Sequence, residues 1–203
     1  MKRNGLKLAT ILIGSAPLTT FAHTGHDVSG FLAGFGHPLM GADHVIAMAA
    51  IGIWAFMLKS EGIKHSGSMI PSVFLAMMAF GAALAFSNFA LPLVEMGIAI
   101  SVILLGILLV AGKRLPLGIT LPMTASFALF HGAAHGVEMP YSADVASYFA
   151  GFLFASASLI FVGYTVANLL IAGAESRSFA NKLVMPVSGG LVTLSGVYQL
   201  LMS

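Results

Sequence analysis

Cysteine is absent from the 203 residues, which excludes disulfides, thiolate metal sites, iron–sulfur clusters and a cysteine nucleophile. A metal held by this chain has to sit on nitrogen, oxygen or thioether sulfur. Charge is nearly as scarce: Asp, Glu, Lys and Arg make up 8% of the residues, where about 25% is usual in globular domains. Basic residues never cluster beyond the pair Lys113 and Arg114, so the formal charge of +2 does not build a nucleic-acid surface. A glycine-rich phosphate loop is missing, and no stretch between apolar segments is long enough for a soluble catalytic or nucleotide-binding domain of its own. What is present is apolar: 58% hydrophobic residues and a mean hydropathy of +0.97, the composition of a chain that lives in lipid.

The chain opens with Lys2, Arg3 and Lys7, a short apolar run from Leu8 to Leu18, and small residues up to Ala22. That order predicts a cleavable signal peptide over 1–22, its apolar run being too short to span a bilayer. The remainder, 23–203, parses into six apolar segments near 38–58, 69–87, 91–111, 116–136, 144–171 and 184–202. The predicted fold is therefore an all-α integral membrane protein with six transmembrane helices. Adding the apolar stretch 28–36 to the first span would give ~46 Å of helix, too long for a ~30 Å hydrocarbon core. It reads instead as a short helix or re-entrant piece leading into that span.

Charge placement orients the bundle. Lys59, Lys64, Lys113, Arg114, Arg177 and Lys182 all fall in alternate connectors, on one side. By the positive-inside rule this side is cytoplasmic, and both mature termini are periplasmic in a bacterial inner membrane. Loss of Lys2, Arg3 and Lys7 with the leader turns the formal +2 into −1. The acidic residues Asp27, Asp43, Glu95, Glu138 and Asp144 gather on the outer side, as suits a surface that meets cations.

Ionisable groups within spans are functional candidates, because insertion of one into hydrocarbon costs ~2.5–3.5 kcal/mol or more. Two clusters stand out. His37-Pro38-Leu39-Met40-Gly41-Ala42-Asp43-His44 begins the first span; on a continuous helix His37 and His44 would share a face, with Asp43 to one side. Phe130-His131-Gly132-Ala133-Ala134-His135-Gly136-Val137-Glu138 ends the fourth, where His131, His135 and Glu138 form one helical stripe. Imidazoles with carboxylates suit zinc, copper, iron or nickel. Accessory candidates on the same side are His23, His26 and Asp27, which could recruit metal from solution, and Glu95 as a pathway residue. Asp144 reads more simply as a helix N-cap. The inner half of the spans offers no His or acid, only Ser, Thr and Asn168.

The two motifs, HPLMGADH and FHGAAHGVE, together with the leader and six spans, resemble the HupE/UreJ family over essentially the whole chain. That family comprises membrane proteins associated with hydrogenase and urease maturation and regarded as nickel permeases. The resemblance implies secondary import of nickel(II), or of cobalt(II), from periplasm to cytoplasm, with metal handled by His37, Asp43, His44, His131, His135 and Glu138. It implies no enzyme activity, no permanent cofactor, and partners limited to the divalent ion and the bilayer, with homo-oligomers compatible. The residues alone leave two alternatives open. One is an intramembrane zinc hydrolase with Glu138 as base; the other is a haem electron carrier with His44 and His135 as axial ligands.

Overall fold

The computed structural model describes residues 30–87, 89–140, 143–172 and 177–202, with 172 and 177–184 described by backbone alone. The expected leader and His23, His26 and Asp27 lie outside the described residues. Every regular element among those described is helical: α1 (Phe31–Met40), α2 (Ala42–Ser60), α3 (Ser66–Phe86), α4 (Val94–Ala111), α5 (Leu117–Val137), α6 (Val145–Ala172) and α7 (Arg177–Met202). Six of them, α2 to α7, are long and apolar enough to cross a membrane. Phe154, Phe161, Leu169, Leu191 and Leu201 point outward along the later spans, as lipid-facing side chains do.

The bundle is organised around α2. In its apolar window 56% of residues are buried, against 22% to 39% in the other spans, so it runs through the centre. Met48, Ile51, Trp54 and Leu58 on α2 meet Ile70, Phe74 and Met78 of α3 and Leu105 and Leu109 of α4 in one core. Among lipid tails an apolar side chain gains little by meeting another, so close backbone approach has to supply the attraction between helices. Glycine provides it here in reciprocal pairs. A Cβ on Gly132 of α5 would collide with the carbonyl of Met78 on α3, and one on Gly81 of α3 with the carbonyl of Leu129 on α5. The same exchange joins α1 to α6, with Gly34 against the Tyr148 carbonyl and Gly151 against the Phe31 carbonyl. It recurs between α2 and α6 and between α4 and α7.

One expectation changes. The helix anticipated over 38–58 does not begin at Pro38, because the chain breaks at Gly41, whose backbone is extended at φ −90°, ψ 110°. Pro38 brings no N–H to a helix, and α2 restarts with Val45 N–H donating to the Gly41 carbonyl. The stretch upstream is a separate ten-residue helix, α1, lying on α6. At the far end of α2, Arg114 pairs with Glu61 and ties the α4–α5 connector to the α2–α3 connector. Lys59, Lys64, Lys113 and Arg114 therefore share the end opposite His44.

Candidate metal centre

Three helices deliver titratable side chains to one end of the bundle. α1 contributes His37, α2 His44, and α5 His131, His135 and, at its C-cap, Glu138. Because Gly41 interrupts the chain, His37 and His44 do not stack along one helix; they approach from two helices and meet across His135. His37 Nε2, His135 Nδ1 and Glu138 Oε2 form a triangle with all three edges 2.9 Å. On its other side the His135 ring places Nε2 2.7 Å from His44 Nδ1. His44 Nε2 in turn lies 3.1 Å from the Ser156 hydroxyl.

Proton positions follow from this chain. Hydrogen bonds from His135 and His37 hold the Glu138 carboxyl well below the usual carboxylate range, so it is ionised and only accepts. His135 Nδ1 and His37 Nε2 therefore both donate to Glu138. His135 Nε2, left without a proton, accepts from His44 Nδ1–H, and His44 Nε2 accepts from the Ser156 hydroxyl.

His131 stands one turn deeper, its ring centroid 6.3 Å from that of His44. Its Nδ1–H donates to the Phe127 carbonyl at 2.9 Å, which fixes the ring. Nε2 is buried and has no hydrogen-bond partner among the described residues. A ring held through Nδ1 with a free Nε2 is the orientation that metal-binding histidines adopt. A small void lined by Ala47, Ile51, Phe74, Ser101, Val102 and Leu105 adjoins it.

Among the described residues, the remaining sequence candidates stand outside this hydrogen-bonded chain, although Asp43 is within electrostatic range of His131. Asp43 is exposed in the first turn of α2, where a negative charge suits the helix N-terminus. Glu95 is exposed in the first turn of α4. Asp144 accepts the Ser147 N–H at 2.9 Å through Oδ1 and so caps α6. What sequence reasoning did not single out is the contribution of α6. Tyr148, Phe152 and Ser156 recur every four residues on one stripe. The Phe152 ring packs 5.0 Å from His135 and 5.7 Å from His44. That spacing was visible in the sequence, but tyrosine and serine in an apolar span carry no charge to draw attention to them.

A family profile described as HupE / UreJ protein matches residues 10–199. The chain belongs to the HupE/UreJ family. It is 37% identical over 191 residues to the Protein HupE of Rhizobium leguminosarum bv. viciae, covering 94% of this chain and 95% of that one. No solved structure matches. Membership gives the motif histidines a common context: both family-like motifs, from separate parts of the chain, converge on the His37–His135–Glu138 triangle.

Proposed function

We propose that the protein is a secondary transporter that moves a divalent transition-metal ion, nickel(II) above all and cobalt(II) next, from the periplasm to the cytoplasm. The observation that carries this reading is the 2.9 Å triangle of His37 Nε2, His135 Nδ1 and Glu138 Oε2. The three donor atoms lie close enough together to bind one ion jointly. Two imidazoles and one carboxylate form a donor set that nickel(II) takes, and the choice of nickel(II) or cobalt(II) over other divalent ions rests on the family.

Exposure orders the steps. Side-chain exposure falls from 53% at Glu138 through 28% at His37 to 15% at His135, and His44 and His131 are buried. An incoming hydrated ion meets the ionised carboxylate first, then displaces the protons that His37 and His135 direct at it. Transfer to His44 and to the free Nε2 of His131 carries it inward, polar ligands replacing water that it cannot lose unaided. Beyond the void at Ser101, buried Trp54, Leu58, Leu105 and Leu109 close the inner half, so passage requires helices to separate there.

Neither ATP nor chemistry on the cargo is required. A divalent cation moving inward down ~100 mV gains ~4.6 kcal/mol, enough for roughly three decades of accumulation. The haem alternative fits poorly: axial ligands stand on opposite faces of a macrocycle, whereas His44 and His135 are in direct hydrogen bond at 2.7 Å. The zinc-enzyme alternative uses the same residues and predicts one tightly retained metal through purification. The discriminating experiment is uptake of labelled nickel, cobalt and zinc by cells lacking other importers. Nickel or cobalt accumulation that collapses on dissipating the membrane potential supports import. No accumulation, together with a stoichiometric retained metal, overturns it.

A further inference from the structure

Beside the triangle stands a buried hydroxyl with no hydrogen-bond partner among the described residues, Tyr148 Oη. Tyr148 is 1% exposed. Its ring lies against His37, centroids 6.1 Å apart and planes at 53°, and its hydroxyl is within electrostatic reach of the Glu138 carboxylate. An unpaired hydroxyl in a low-dielectric interior is unfavourable, and phenylalanine would fill nearly the same volume without it. Phenylalanine is common in this chain, at 15 residues against 4 tyrosines, and Phe149 and Phe152 are neighbours on the same helix. Packing alone would favour Phe at this position. The side chain is also held in place: Gly34 brings α1 directly onto the Tyr148 backbone, so the helix segment carrying the ring and the one carrying His37 are locked together.

We propose that Tyr148 Oη is part of the metal site and accepts a hydrogen bond from a water that the cargo ion keeps when His37, His135 and Glu138 bind it. This rests on the import reading and adds to it a residue of α6. Three protein donors leave a nickel(II) or cobalt(II) ion with open positions for water. Water on a divalent cation is a strong donor, because the ion polarises its O–H bonds. A neutral phenol oxygen holds such a water without adding charge to the site. The ion is thereby retained in the partly hydrated form that can still be released inward.

The test is Tyr148→Phe in the full chain, read by nickel(II) titration of the purified protein, by uptake kinetics per unit of membrane protein, and by the thermal midpoint without metal. Loss of one such hydrogen bond should raise Kd and KM for nickel(II) about ten-fold, with stoichiometry and maximal rate little changed. The metal-free midpoint should stay the same or rise, since an unpaired hydroxyl has been removed. Wild-type Kd in Tyr148→Phe would overturn the proposal. So would a fall in the metal-free midpoint, which would show that the hydroxyl has its partner within the protein. His37→Ala run in parallel separates the two levels. If His37→Ala is inactive while Tyr148→Phe is normal, only the Tyr148 assignment fails; if His37→Ala binds and transports like wild type, the import site itself is misplaced.

Discussion

His135 Nε2 lies 2.7 Å from His44 Nδ1, while Nδ1 of the same ring lies 2.9 Å from both His37 Nε2 and Glu138 Oε2. One imidazole thus joins the exposed mouth to the buried interior, and its two nitrogens face the two stages of the proposed transfer. Replacement of His135 by alanine removes a metal ligand and the bridge together. Uptake should fall by about two orders of magnitude or more, with the protein still present in the membrane. Uptake assays paired with immunodetection in membrane fractions check this.

Ser156 tests the orientation of the buried ring. Its hydroxyl donates to His44 Nε2, which leaves His44 Nδ1–H directed at His135. Ser156→Ala should reduce metal uptake by roughly five-fold, the value of one lost hydrogen bond of ~1 kcal/mol. Ser156→Thr keeps the hydroxyl and should recover much of the loss. Equal activity of both variants with wild type would show that His44 orientation does not depend on α6.

Gly34 sets the position of His37 at a distance. A Cβ there would collide with the carbonyl of Tyr148, so Gly34→Val must push α1 off α6. Overpacking of this kind costs about 1–3 kcal/mol, and the displaced helix carries His37 out of the triangle. Nickel affinity should fall much as in His37→Ala, with a lower thermal midpoint as well. A Gly36→Ala control, where a Cβ meets none of the described residues within 4 Å, should be silent on both counts.

Acid should act on Glu138 with a defined sign. Its carboxyl is held below the ordinary value of 4.5 in the folded state, so its contribution to stability is full above that value and is lost as pH falls through the folded value. In metal-free protein, wild type should exceed Glu138→Gln in thermal midpoint at pH 6, and the gap should narrow progressively below pH 4.5. Metal affinity falls earlier on acidification, because the imidazoles must be deprotonated to act as ligands. Thermal scans with a chelator and metal titrations across pH separate the two effects.

These residues also show what the sequence made legible. The second motif was readable almost completely, because His131, His135 and Glu138 lie on a regular helix whose periodicity fixes their relative positions. Six spans were readable from the length of the apolar runs, and the shared end of Lys59, Lys64, Lys113 and Arg114 from their alternation. The first motif was half readable. His37 and His44 belong to one site, but a seven-residue spacing implies a continuous helix, and the extended Gly41 redirects α1 onto α6. Which helices supply the supporting groups was not readable at all. Tyr148, Phe152 and Ser156 gain meaning only from tertiary packing, since an apolar span with tyrosine and serine looks the same whether it faces lipid or a histidine cluster.

The central claim is metal passage through the His37–His135–Glu138 site, and reconstitution into liposomes tests it most directly. Purified protein is placed in vesicles containing a metal-sensing dye, and an inside-negative potential is imposed by potassium efflux. Wild-type protein should admit nickel(II) at a rate that rises with the imposed potential, and His135→Ala should leave the vesicles as tight as protein-free ones. Nickel influx through His135→Ala equal to wild type, or no influx through wild type at any potential, would contradict the account.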